Sequence, residues 1–240
     1  MTATADQAAA VRTRDLRLDA LTVSSGAVDA ISFIALGKVF TAFMTGNLVF
    51  LGMRVAGAPA PSVATILASL GAFSCGVLLS TRIVASVQAS STWPRQVTLA
   101  LGASLIAHAG FLVVWLLSNG QPAERSLPAL LAFWGLAMGM QSGAVRALHV
   151  EGVFTTAATA TVIYLAGAIL SWPATVLDRR RLANVLVSLV IGATVGALLL
   201  LRVRVYAPLL PFAITAVVVA TAARTAPSRA SRGIAAGRSG

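Results

Sequence analysis

Charge is scarce in this chain. Only 10% of its 240 residues are Asp, Glu, Lys or Arg, and just seven are acidic, which excludes the ion-laced surface of a soluble domain, where about a quarter of residues are charged. A single cysteine, Cys75, rules out an intrachain disulfide and a thiolate metal cluster. It lies in an apolar run, where a small buried side chain is the expected role. Two histidines, His108 and His149, stand far apart among scattered carboxylates, so no metal-ligand spacing exists. No glycine-rich phosphate loop precedes a lysine, which excludes a nucleotide-driven motor within this chain.

What is abundant is hydrocarbon. Hydrophobic residues make up 58% of the chain and the mean hydropathy is +0.87, more than a soluble core of this size requires. Apolar runs occupy 20–36, 39–57, 63–87, 97–118, 127–148, 153–177, 183–202 and 207–223, most of them near the ~20 residues of a spanning helix. They are continuously apolar and do not alternate as the strands of a membrane barrel would. The expected fold is therefore all-α: a polytopic transmembrane helix bundle at 18–223, flanked by a tail at 1–17 and a basic, disordered tail at 224–240. Asp29 interrupts the first run, so that run is expected to stay attached and not to be cleaved as a signal peptide.

The net charge of +11 comes from residues between and beyond the runs, with no basic surface interleaved with aromatics. Nucleic acid is not an expected partner; the lipid bilayer is. Arg12, Arg14 and Arg17 at one end and Arg224, Arg229, Arg232 and Arg238 at the other favour cytoplasmic termini. Eight spans would leave 12 basic residues inside and 6 outside, while six spans with runs two and six re-entrant would leave 13 and 5. Charge bias alone does not choose between them.

The chain also resembles itself. "VFTAFMTGNLVFLG" (39–52) aligns without gaps on "VFTTAATATVIYLA" (153–166) at an offset of 114, with five identities that include Thr41/Thr155 and Thr45/Thr159. The same offset carries run one onto run five and run four onto run eight, which points to two halves at about 18–118 and 127–223. Three spans plus a re-entrant helix per half would make the halves inverted; four spans would make them parallel. A break near Gly46 and Asn47, with Thr45 and Asn47 capping a helix resumed at Leu48, suits the polar cluster of the first segment. A continuous helix packing through Ala42/Gly46 and Thr156/Ala160 is the alternative.

These segments carry a family resemblance. "GAVDAISFIALGKVFTAFMTGNLVFLG" near the N-terminus, "GMQSGAVRAL" opening the second half and the Thr-rich run after it resemble the YoaK family of bacterial membrane proteins, over about 15–222. The resemblance implies an inner-membrane protein with six spans and lends no activity. The second half departs from the family pattern at Ser142 and Ala160, where Asn and Gly are expected.

Ionisable residues at membrane depth cost about 2.5–3.5 kcal/mol on insertion scales and seldom lack a partner. Asp29 is the outstanding one. With Ser25, Gly26 and Ser32 it forms a polar stripe on the first helix, while Gly135, Gly139 and Gly143 form a glycine stripe continued by Arg146 on the fifth. Apposed stripes would bring Asp29 and Arg146 together, either as a pair that fixes register or as part of a solute or proton site. His108 is expected to be a neutral imidazole bonded to a neighbouring helix, and Gln141 an interhelical donor. Gly192 and Gly196 add a further packing stripe.

Enzymatic signatures are missing. "GMQSG" has one residue too many for a Gly-x-Ser-Gly nucleophile, and Asp29 has no second intramembrane aspartate. The chain is expected to be no enzyme and to need no cofactor or metal. The expected function is a small-solute secondary permease or channel-like protein whose pathway is lined by Asp29, Thr41, Thr45, Asn47, Arg146, Thr155 and Thr159, carrying a small solute or proton. A non-transporting scaffold or partner-binding subunit is the competing reading, and self-association is left open.

Overall fold

The computed structural model describes residues 2–86, 92–150, 155–156, 158–170 and 176–225. Eight α-helices account for most of them: α1 Thr2–Ala35, α2 Met44–Val55, α3 Val63–Val84, α4 Arg95–Leu117, α5 Leu127–Arg146, α6 Ala158–Leu170, α7 Val176–Arg202 and α8 Leu209–Thr225. No strand occurs among the described residues. Residues 2–17 continue α1 outward as helix, in keeping with their Ala- and Arg-rich composition. The tail from 226 onward and the repeat positions 153 and 154 lie outside the described residues.

Among the described residues five segments are long and apolar enough to cross a membrane: Ala5–Ala35, Val63–Val84, Arg95–Leu117, Arg179–Arg202 and Arg204–Thr225. Helix α5 matches their length at 20 residues, about 30 Å, and differs because it sits in the middle of the bundle. Twelve of its residues are buried, so its Gly, Gln and Trp side chains face protein. Phe111 of α4 stacks on Trp134 of α5 with centroids 3.5 Å apart.

Helix directions follow from which residues touch. Gly192 backs onto Val23 and Gly196 onto Ala27, so α1 and α7 run parallel; Gly135, Gly139 and Gly143 meet Ser69, Phe73 and Ser80 in order, so α3 and α5 do too. Ser24 meets Pro211 and Thr215 while Arg17 meets Thr221 and Thr225, which makes α8 antiparallel to α1. Trp115 of α4 donates to the Val205 carbonyl and Gly102 faces Val219, so α4 is antiparallel to α8. Phe111 lies at Trp134, while Val97 and Leu101 share a cluster with Ala144 and Val145, so α4 is antiparallel to α5 as well. Helices α1, α4 and α7 therefore point one way and α3, α5 and α8 the other.

This alternation decides the number of crossings. The end of α1 and the start of α3 lie on the same side of the bundle, so α2 returns to the side it left; the end of α5 and the start of α7 place α6 the same way. Helix α2, with 12 residues, is about 18 Å long, well short of the ~30 Å hydrocarbon core. Among the described residues six helices thus have the length and direction to cross and two short ones do not, and both ends of the described bundle lie on one side. The eight-span alternative is set aside.

Glycine sets the spacing of the two parallel pairs. A Cβ on Gly196 would lie 2.7 Å from the Cα of Ala27, and one on Gly135 2.8 Å from the Ser69 carbonyl oxygen; at Gly139, Gly143 and Gly192 the neighbouring atoms of Phe73, Ser80 and Val23 are nearer still. In lipid no hydrophobic force presses helices together, so this close backbone approach is what holds them.

Candidate functional site

Helix α1 ends where Gly37 and Lys38 take positive φ values of 83° and 61°, the left-handed conformation that stops a helix. The chain then folds back along α1 through residues 39–43. Six residues before the end of α1 stands Asp29, whose Oδ1 accepts the backbone N–H of Thr41 and of Ala42, both at 2.8 Å. Its Oδ2 accepts that of Phe43 at 3.0 Å. These donors lead directly into α2, which has no side-chain cap of its own at Phe43. Asp29 therefore pins, from another helix, the segment that enters α2, with the last of its three donors at the N-cap position, and its charge lies at the positive end of the α2 dipole.

Asn47, in the first turn and a half of α2, secures the break from the other side. Its Oδ1 accepts the Phe40 N–H at 3.0 Å, and its Nδ2 donates to the Phe40 carbonyl at 2.7 Å. Ser69 of α3 donates to the same carbonyl at 2.7 Å. Both backbone polar groups of Phe40 are thus satisfied without water, as backbone at membrane depth requires. The Phe40 ring stacks on Phe33 at 4.9 Å and meets Phe43 edge-on at 5.2 Å.

The second break lies beside α5. Gln141 donates to the Leu21 carbonyl of α1 at 3.1 Å and to the Thr155 hydroxyl at 3.2 Å. Ser142 and Thr156 share a hydroxyl–hydroxyl bond of 2.7 Å. Ser142 thus meets the second break through a side-chain hydroxyl, where Asp29 accepts backbone N–H groups at the first. Between the breaks, α1 and α7 enclose a cleft of about 330 Å³ lined by Ser25, Gly26, Asp29, Phe33, Phe40, Phe43, Thr156 and Ala158, among others. Ser25 is fully buried and its Oγ has no hydrogen-bond partner.

Residues 18–221 match the family described as "Protein of unknown function (DUF1275)", a span that runs from the second half of α1 to within a turn of the end of α8 and includes both breaks. The chain belongs to this family. It is also similar to the UPF0700 transmembrane protein YoaK of Bacillus subtilis (strain 168), 33% identical over 152 residues, which is 63% of this chain and 65% of that protein. The chain thus matches just under two thirds of that relative's length. No solved structure matches this chain.

The residues singled out from sequence do not all converge in this family member. Asp29 lines the cleft; Thr41 and Asn47 are buried in the first break and Thr155 in the second. Thr41 Oγ1 has no partner. Thr45 and Thr159 are exposed on α2 and α6, so hydroxyls one turn apart do not share an interior face. The expected pairing of Asp29 with Arg146 is not formed: Arg146 is exposed at the last residue of α5, and the carboxylate is taken up by backbone N–H groups. The break also falls earlier than expected, at 36–43, with α2 starting at Met44; Thr45 and Asn47 thus lie inside α2 instead of before it, and Asn47 bonds the Phe40 backbone.

Two other expectations change. His108 is buried, but both ring nitrogens lack a hydrogen-bond partner instead of bonding a neighbouring helix. Cys75 is exposed on the outer side of α3 and not buried, because the face of α3 that meets α5 carries Ser69, Gly76 and Ser80. Sequence reasoning passed over Ser69 as a clamp and Phe33, Phe40 and Phe43 as cleft walls. Ser69 had no local signal, since one serine in an apolar helix commonly bonds its own backbone.

Proposed function

We propose that this protein is a small-solute secondary permease of the bacterial inner membrane, working through the cleft between the two helix breaks. The observation that carries the reading is that both interrupted helices reach one cleft, with a carboxylate at the N-terminus of the first half-helix. Interrupted helices with solute sites at the contact of two repeats are a recurrent transporter design.

The helix pairing supports an inverted repeat. Exchanging α1 with α5, α3 with α7 and α4 with α8 turns the glycine-lined α1–α7 contact into the glycine-lined α5–α3 contact. It also turns the α8–α1 contact into the α4–α5 contact, while α1 and α5 point in opposite directions. The two halves enclose the cleft between them, an arrangement that lets one half rock against the other. Termini on the cytoplasmic side agree with the charge bias: among the described residues that side holds Arg12, Arg14, Arg17, Arg82, Arg95, Arg146, Arg179, Arg180, Arg181 and Arg224, against Lys38, Arg54, Arg125, Arg202 and Arg204 opposite. Asp29 sets the charge preference of the site or takes a proton during transport.

Flux measurements test this reading. Proteoliposomes loaded in turn with labelled small organic cations, anions and neutral solutes should release at least one class faster than protein-free vesicles. Retention of every class at the protein-free rate overturns the permease reading in favour of a membrane scaffold.

A further inference from the structure

The Asp29 carboxylate offers about four acceptor positions, and three are filled by the N–H groups of Thr41, Ala42 and Phe43, two on Oδ1 and one on Oδ2. The remaining position is on Oδ2, and Asp29 lines the cleft. One helical turn before it, Ser25 lines the same cleft with a buried and unpartnered Oγ. The walls around them are the rings of Phe33, Phe40 and Phe43, and the second break adds Thr156. Buried hydroxyls seldom go unpaired without a reason.

This set of groups discriminates among solute classes. A small metal ion would want six or more oxygen ligands, whereas the cleft offers one carboxylate position and two hydroxyls among aromatic rings. An anion would meet a carboxylate, because Asp29 already covers the N–H groups that would otherwise bind it. A neutral apolar molecule would leave the free acceptor and the Ser25 hydroxyl unused. A primary ammonium on a compact apolar body suits these features: it would donate to Asp29 Oδ2 and Ser25 Oγ while its apolar body lies against the Phe33, Phe40 and Phe43 walls, and aromatic rings attract cations within about 6 Å of their centroids. At about 330 Å³ the cleft is at the small end of ligand sites, which run from roughly 300 to 1,000 Å³.

We propose that the cleft is a binding site for a small organic monocation, a primary ammonium carried on an apolar or aromatic body, held by Asp29 and Ser25. This rests on the permease reading for its role but not for its chemistry. The ammonium belongs to a free amine or to a lipid headgroup, and the place of the cleft beside Leu189 and Ala193, at the middle of α7, favours the free amine.

Thermal unfolding of the full chain in phosphatidylglycerol nanodiscs, with benzylammonium, benzyl alcohol and benzoate as probes, reads the site. Benzylammonium is expected to raise the midpoint saturably, and the other two to leave it unmoved at equal concentration. Ser25→Ala should weaken benzylammonium about tenfold, the lower range for a hydrogen bond to a charged group, while the unliganded midpoint stays the same or rises, since no partner is lost. An equal response to benzoate or benzyl alcohol, or unchanged affinity in Ser25→Ala, overturns the proposal. If nanodiscs that also contain phosphatidylethanolamine no longer respond to benzylammonium, the headgroup is the ammonium's source; an unchanged response identifies a free amine. Benzylammonium binding without flux of any solute would remove the permease reading and leave this one, and flux without a benzylammonium response would do the reverse.

Discussion

Replacing Asp29 with alanine removes the acceptor of three consecutive backbone N–H groups at once, those of Thr41, Ala42 and Phe43. A buried donor left without a partner costs about 1–3 kcal/mol, so the three together come to roughly 3–9 kcal/mol by the same rule. Water from the adjoining cleft can reach part of the loop, and the buried charge itself disappears, so the expected loss of stability is in the lower half, about 3–5 kcal/mol. Asp29→Asn should cost less, about 1–3 kcal/mol: its carbonyl oxygen still serves Thr41 and Ala42, but its NH₂ faces the Phe43 N–H, donor against donor. Arg146→Gln should fall within about 0.5 kcal/mol of the parent, as exposed positions do, and should add to Asp29→Asn without coupling. Reversible unfolding in a mild detergent, followed by circular dichroism, gives all four values. Equal, small losses for Ala and Asn would refute the anchoring of residues 41–43 by Asp29, and non-additivity with Arg146 would restore the ion pair in its place.

Three further outcomes follow from the packing and the topology. Gly139→Ala pushes a Cβ into the backbone of Phe73 and should destabilise by about 1–3 kcal/mol or more, whereas Gly71→Ala, on the same helix pair with open space around it, should be neutral or stabilise by up to about 1 kcal/mol; the two melts compared side by side check this. Asn47→Ala strands the Phe40 N–H but leaves Ser69 on the Phe40 carbonyl, so a loss of about 1–3 kcal/mol is expected, with trypsin or chymotrypsin cleavage in the 36–43 loop as a second readout. In a Cys75→Ala background, Arg54→Cys should label from the side opposite both termini, because α2 returns to the side on which α1 ends; labelling from the terminal side would restore a spanning α2.

The membrane class and the eight helices were legible in the sequence because they depend on hydropathy summed over about 20 residues; the polar cluster of the second run pointed to a break there, but loop charge fitted six and eight spans alike. The glycine stripes were legible for a related reason, since a spacing of four marks one helix face wherever the partner lies. The Asp29 interaction was not. Its partners are backbone N–H groups 12 to 14 residues ahead, and backbone donors have no residue type by which to recognise them. A search limited to side chains therefore chose Arg146, the basic residue that continues the glycine stripe. Thr45 and Thr159 failed for another reason: aligning the two segments on each other carries no information on which face of each short helix turns inward.

The cleft itself is the claim on which the functional reading stands, and the reactivity of one engineered thiol tests it most directly. With Cys75 replaced by alanine, Ser25→Cys places a sulfur in the position of the unpartnered hydroxyl beside Asp29. A hydrated cleft with a free carboxylate position predicts modification by the cationic reagent 2-aminoethyl methanethiosulfonate, faster than by its anionic sulfonatoethyl counterpart and slowed by benzylammonium. A Ser25→Cys thiol that stays inert to both reagents, while a cysteine in the α2–α3 loop of the same preparation labels fully, would mean that the space between the breaks is dry packing and not a solute site.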